Sequence, residues 1–167
     1  ILQNFGTFNY LYTAVPSASY PNHQFTQSAT SCGAMDNTVD YSKCGGNTST
    51  FPQRTIYDAL LENNNSFAIY YNETPTSADM LMPGVARHTD HSLSDTLFYE
   101  SAANGTLPQF SWIIPGSKFN DHPCHDLALG ERLLKDVYEA VRAGPGWNST
   151  LLFMAYDDAG FYYDHVI

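Results

Sequence analysis

The chain has 167 residues, and 7 Lys+Arg against 17 Asp+Glu give it a formal net charge of −10. That balance excludes a general nucleic-acid binder, which needs a basic face to displace counterions, and electrostatic docking on an anionic membrane. Charged residues and aromatics each make up 14%, so neutral polar side chains carry the surface and the aromatics supply ample core material. Taken in chain order, residues 20–33 are turn-rich and read as a loop bearing several hydroxyls. Residues 34–52 form a long loop by composition, with Asn37, Gly45, Gly46 and Asn47. Residues 52–62 predict a short helix with Ile56, Ala59 and Leu60 on one face, stopped by Asn63-Asn64-Asn65. Phe67–Tyr71 predicts a strand, and residues 92–99 a short helix on which His88 and His91 stand nearby as surface groups. Residues 109–114 predict a buried strand ended by Pro115-Gly116. Residues 126–143 carry the strongest helix pattern, with Leu129, Leu133, Leu134, Val137, Tyr138 and Val141 at three- and four-residue intervals. Gly144-Pro145-Gly146 ends it, and residues 150–156 predict a further buried strand. Strands alternating with helices point to an α/β fold, a mainly parallel sheet flanked by helices.

No apolar run approaches the ~20 residues of a membrane-spanning helix. Five Asn-x-Ser/Thr acceptors, at Asn47, Asn64, Asn72, Asn104 and Asn148, favour a secretory history, although an Asn-, Ser- and Thr-rich chain makes such triplets freely. Of the three cysteines, Cys32 and Cys44 flank a Gly-rich loop and suit a short disulfide; Cys124 is then free or paired elsewhere. No zinc spacing occurs. A secreted or lumenal location, extracellular, vacuolar or lysosomal, is the expectation. The chain opens on Ile1 and closes on Ile167 directly after a dense polar-aromatic motif, and so reads as an internal piece.

Three segments carry the chemistry. Asp157-Asp158-Ala159-Gly160 follows the last predicted strand, where open α/β sheets bind ligands, and paired carboxylates suit a hard divalent cation. A solvated acidic turn accounts for the same spacing. Asn120-Asp121-His122-Pro123-Cys124-His125-Asp126 puts imidazoles and carboxylates before a helix, a setting for anion binding or proton transfer. Helix capping by Asp121 or Asp126 explains it equally well. The third, around Ser28-Ala29-Thr30-Ser31, offers hydroxyls without a nucleophile-elbow motif.

Together these segments resemble the phosphoesterase family that includes plant non-specific phospholipase C, bacterial phospholipase C and a group of acid phosphatases, within the alkaline-phosphatase-like superfamily. Pro21-Asn22-His23 with Ser28-Ala29-Thr30-Ser31 is similar to its P-N-R…S-A-T-S segment. Residues 54–60 with Ala68-Ile69-Tyr70-Tyr71 resemble its T-I-[FY]-D-x-L helix and I-Y-Y strand, and residues 105–115 its G-x-L-P-x-x-S-x-I-x-P strand. Asn120-Asp121-His122-Pro123 resembles N-D-D-H-P with one acid lost, and residues 156–166 resemble Y-D-E-H-G-G-F-Y-D-H-V.

The resemblance implies a partial phosphoesterase catalytic domain over residues 1–167 and a metal-assisted hydrolase of phosphate esters, phospholipid among them. It implies Thr30 as nucleophile, activated by a divalent metal cation that lowers the hydroxyl pKa and offsets phosphoryl charge. Asp157 and Asp158 match the acidic metal pair. His122 matches the imidazole that holds the phosphoryl oxygens or protonates the leaving oxygen. Asn22, His23, Asp121 and His165 fall at substrate-binding positions. There are departures: His23 replaces an Arg, Ala159 and Phe161 replace a His and a Gly, and the upstream E-N-R-S-F-D segment with the other metal ligands is absent. This piece is therefore expected to be inactive alone. Scarce positive charge, and aromatic residues Phe161, Tyr162 and Tyr163 beside the acidic pair, favour a phospholipase C-like diesterase. An acid phosphatase and a non-catalytic secreted glycoprotein domain with a degenerate site are the alternatives.

Overall fold

Five consecutive residues, Phe67–Tyr71, form the strand β1 on which the fold is built, and its first four side chains are all buried. The computed structural model describes residues 4–38, 40–46, 51–72, 86–160 and 162. β1 pairs in parallel with β2 (Ser92–Ser94) on one side and with β3 (Phe110–Ile114) on the other. The sheet order is β2-β1-β3. Parallel neighbours need crossovers, and the helices that provide them cover both faces. On one face Phe67 and Ile69 pack with Ile114 against Tyr57 of helix α2 (Ile56–Glu62). On the other, Ala68 and Tyr70 meet Phe98 of α3 (Asp95–Asn104) and Val137 and Val141 of α4 (Leu127–Ala143). The period-two alternation of β1 therefore feeds two cores, which is why it reads as an unbroken apolar run.

The long amphipathic helix forms as its pattern requires. Asp126 caps α4 by accepting the Ala128 N–H at 3.0 Å. At its far end a Cβ on Gly144 would lie 2.3 Å from the Ala102 carbonyl oxygen, so this glycine lets α3 and α4 close on each other. α2 opens with a capping box: Thr55 accepts from the Asp58 N–H, and Asp58 accepts the Thr55 N–H at 2.7 Å. Asp58 also holds Arg87 at 2.8 Å and His88 at 3.0 Å. His91 donates Nδ1–H to the Phe67 carbonyl and stacks on the Phe67 ring, centroids 4.3 Å apart. Both histidines are thus half-buried parts of a polar clamp at the amino end of β1, where the sequence suggested surface groups.

Four other expectations change. Residues 20–33 are largely helical: α1 spans Ser19–Ser28. Its buried face is polar (Asn22, Gln24, Gln27), so apolar periodicity gave no signal. Pro21 stands in the first turn, where its missing N–H has no intrahelical acceptor to lose. Asn22 fixes the entry to α1: it accepts the Val15 N–H at 2.9 Å and donates to the Val15 and Ala18 carbonyls at 3.0 and 3.2 Å. The loop of residues 34–52 contains a 3-10 turn, Tyr41–Cys44, whose Tyr41 is fully buried against Phe51. Cys32 and Cys44 are bridged, Cα atoms 5.9 Å apart, and Cys124 is a free, exposed thiol. The expected helix near residues 92–99 is preceded by the short strand β2. Finally, residues 150–156 make no strand: they run irregularly, with Leu151 91% exposed and only Leu152 joining the core. Unpaired backbone, rather than weak propensity, distinguishes this segment from β3.

Two consequences are measurable. Asn22→Ala strands a buried backbone N–H and should lower the unfolding free energy of the intact protein by about 2–3 kcal/mol. An unchanged denaturation midpoint contradicts that role. The Asp58 carboxyl is pulled down from its usual 3.8 to about 2: burial opposes this, and the Thr55 N–H, His88 and Arg87 outweigh it. A depressed folded-state pKa stabilises above the unfolded value and loses its effect as pH falls from about 4 to 2, here by about 1–2 kcal/mol. Asp58→Asn should narrow the stability difference between pH 5 and pH 2 by that amount in pH-dependent denaturation.

Candidate functional site

Three segments distant in the chain converge beside β3. The first is α1, in which Ser19 and His23 lie four residues apart and so on one helix face. The His23 ring lies edge-on to Trp112 of β3, centroids 6.4 Å apart. The second is the loop after β3, which carries Asn120, Asp121 and His122. The third is the turn of Tyr156, Asp157 and Asp158. The Ser19 hydroxyl donates to Asp158 Oδ2 at 3.2 Å, and His23 Nε2 stands 3.3 Å from Asp157 Oδ2. Asp158 Oδ1 accepts the Gly160 N–H at 2.7 Å, and Gly160 takes the left-handed φ of 56° that this tight return requires. The acidic pair is thus tethered to α1 through both of its carboxylates.

Electrostatics follow from that tether. Burial pushes the Asp157 carboxyl up, but the His23 ring 3.3 Å away, with Ser19, outweighs it and holds the group below its usual range. Asp157 is therefore ionised at neutral pH. His23 Nδ1 is buried without a hydrogen-bond partner among the described residues. Tyr156 donates its hydroxyl to Asp121 Oδ2 at 2.9 Å, and burial together with that carboxylate pushes the phenol up to about 12.

His122 is exposed. Its Nδ1 lies 3.1 Å from the Pro123 carbonyl oxygen, which only accepts; Nδ1 therefore carries the proton and Nε2 is the nitrogen left to work. Asn120 Oδ1 organises this loop, accepting the His122 N–H at 3.1 Å and His125 Nδ1–H at 2.7 Å. Thr30 is half-buried in the turn after α1, between Ala29 and Cys32, both at φ 59°. Its Oγ1 accepts the Cys32 N–H at 3.1 Å, and the Cys32–Cys44 bridge anchors that turn. Closing a loop of this size removes about 3 kcal/mol of unfolded-chain freedom.

The structure brings together His23, Asp157, Asp158 and, through Tyr156, Asp121. No hydrogen bond or ion pair among the described residues joins Thr30 or His122 to the acidic pair. Asn22, expected at the substrate, has its amide committed to the backbone of residues 15–18, and Asp121 is 92% buried with its carboxylate facing inward. His165, Asn47, Phe161 and Tyr163 lie outside the described residues, whereas Tyr162 is exposed. Asn64, Asn72, Asn104 and Asn148 are all exposed. Sequence reasoning missed Ser19 and Tyr156. The first was legible as the position one helical turn before His23, had α1 been recognised; the second directly precedes the acidic pair.

The oxygen donors of Asp157 and Asp158 suit a hard divalent cation. Among the described residues, however, no three His, Cys, Asp or Glu side chains cluster closely enough to hold a metal ion. The acidic pair fits as part of a coordination shell only.

Comparison with known proteins adds the wider frame. The chain is 36% identical over 177 residues to non-specific phospholipase C6 of Arabidopsis thaliana and 35% identical over 175 residues to non-specific phospholipase C1 of the same plant, covering 99% of this chain and 32% of each relative. It is 34% identical over 104 residues to the non-hemolytic phospholipase C of Burkholderia pseudomallei, covering 60% of this chain and 15% of that protein. The chain thus spans about a third of the length of its plant relatives. The model of the Phosphoesterase family matches residues 1–167. Matched over its whole length, the chain belongs to the Phosphoesterase family.

Proposed function

We propose that the intact protein hydrolyses phosphate esters, preferring a phospholipid-type diester, with Thr30 as nucleophile and His122 as proton donor to the leaving oxygen. The observation that supports this most directly is the carboxylate pair tethered to α1 by His23 and Ser19, in a member of a family whose relatives bear phospholipase C names. In this reading Thr30 gives up its hydroxyl proton to solvent as it attacks phosphorus, the alcohol arm leaves with a proton from the protonated His122 ring, and water then cleaves the threonyl phosphodiester, releasing a phosphomonoester and restoring the Thr30 hydroxyl. The Cys32 N–H on Thr30 Oγ1 favours the anionic form of that oxygen, because a donor stabilises an alkoxide more than a hydroxyl. His122 Nε2 is the exposed nitrogen through which its ring exchanges a proton. A divalent cation, when bound, supplies charge neutralisation at the phosphoryl oxygens. Asp157 and Asp158 would hold it, with further ligands from beyond the described residues. Exposed sequons and the Cys32–Cys44 bridge support a secreted or lumenal setting.

The decisive measurement is made on the full-length protein. Thr30→Val should lower kcat at least ~1,000-fold, about 4 kcal/mol of transition-state stabilisation, with an unchanged far-ultraviolet circular dichroism spectrum. Near-parental turnover refutes the nucleophile. Asp157→Asn with Asp158→Asn should weaken divalent-cation binding in calorimetry and abolish turnover, as a chelator does. Unchanged cation affinity would reduce the acidic pair to a solvated turn. Phosphatidylcholine should exceed an aryl phosphate monoester in kcat/KM from pH 5 to 8; a tenfold monoester advantage across that range overturns the diester preference in favour of a phosphatase.

A further inference from the structure

Asp121 is the most deeply buried acidic side chain among the described residues, at 8% exposure. Its backbone takes a left-handed φ of 53°, uncommon outside glycine although aspartate is among the residues that adopt it most readily. One carboxylate oxygen, Oδ2, accepts the Tyr156 hydroxyl at 2.9 Å. The other, Oδ1, has no hydrogen-bond partner among the described residues. It presses on the backbone of α4 at Gly130, where a Cβ would lie 1.8 Å from Oδ1 and 2.3 Å from Cγ. Gly130 therefore occupies an amphipathic helix, where glycine is unfavourable relative to alanine, because the carboxylate fills the space of its side chain.

Three locally unfavourable choices meet at this one contact: a left-handed aspartate, a glycine within a helix and a carboxylate withdrawn from water. None of them strengthens a core, since neither apolar cluster includes Asp121 or Tyr156. What the contact does join is two loops. Asp121 directly precedes His122, and Tyr156 directly precedes Asp157, which α1 holds through His23.

We infer that Asp121, Tyr156 and Gly130 form a positioning lock that fixes the His122 loop against the acidic turn. Asp121 is thereby a positioning residue, with no free oxygen directed outward to meet a substrate. The carboxylate is the latch, the phenol is its keeper, and the bare backbone at Gly130 is the socket. The consequence for catalysis rests on the function proposed above; the coupling of the two loops does not.

The test therefore has two readouts on the full-length protein. Tyr156→Phe keeps the ring and removes only the hydroxyl. Deuterium uptake in residues 120–125 should rise at least threefold in this variant, although the substitution lies some 30 residues away in sequence, while uptake in β1 stays at the parental level. Gly130→Ala should reproduce that rise by expelling the carboxylate from its socket. On phosphatidylcholine both variants should lose at least tenfold in kcat with KM within twofold, and the double variant should fall no further than the weaker single. Unchanged uptake at residues 120–125 in Tyr156→Phe overturns the lock, as does uptake that rises equally in β1. A rise confined to residues 120–125 in a protein whose Thr30→Val variant keeps full turnover upholds the lock and refutes the proposed nucleophile instead.

Discussion

Burial of a single short strand on both faces is the constraint from which the rest of this structure follows. β1 offers Phe67 and Ile69 to one side and Ala68 and Tyr70 to the other, and neither set can face water without losing its hydrophobic stabilisation. Covering both faces of a parallel sheet demands helices on both, which places α2 on one face and α3 with α4 on the other. Each crossover leaves from the carboxyl end of one strand and returns the chain to the amino end of the next, and in folds of this kind the loops at the carboxyl ends carry the chemistry. The polar clamp of Asp58, Arg87, His88 and His91 closes the opposite, amino end. The two ends of β1 thereby divide the labour, one rigidly stapled and one left to loops.

The apolar half of this architecture was legible in the sequence, and for a physical reason. Burial of hydrophobic area imposes a period, and β1 and α4 show theirs plainly, to the cap at Asp126 and the break at Gly144. α1 was illegible for the converse reason. It is held by hydrogen bonds from Asn22 to residues 15–18 and between Gln24 and Tyr41, and hydrogen bonds between distant residues leave no periodic trace. Residues 150–156 failed the other way. Their composition is that of a strand, but a strand is defined by its neighbour, and no partner is present among the described residues.

The site was legible in its acids and histidines and obscure in what holds them. Asp157, Asp158, His23 and His122 stand out by chemistry and by resemblance. Ser19, Tyr156 and Gly130 do not, since a serine, a tyrosine and a glycine are ordinary until their partners are known. Asn22 and Asp121 show a different limit: their residue types suit ligand contact, and the structure shows each side chain also bonded within the protein, Asn22 to the backbone of residue 15 and Asp121 to a phenol. Side-chain chemistry nominates a site residue, but only the hydrogen-bond accounting of its neighbourhood decides whether it has a free face.

The irregular run of residues 150–156 has a bearing on handling the molecule. Leu151, Phe153, Met154 and Tyr156 are all exposed, Phe8 lies against Phe153 with ring centroids 5.7 Å apart, and among the described residues β3 pairs only with β1. An open parallel edge near exposed large apolar side chains is a template for recruiting further strands. These 167 residues taken alone would therefore show concentration-dependent turbidity, and the barrier to working with them would be colloidal before it was catalytic.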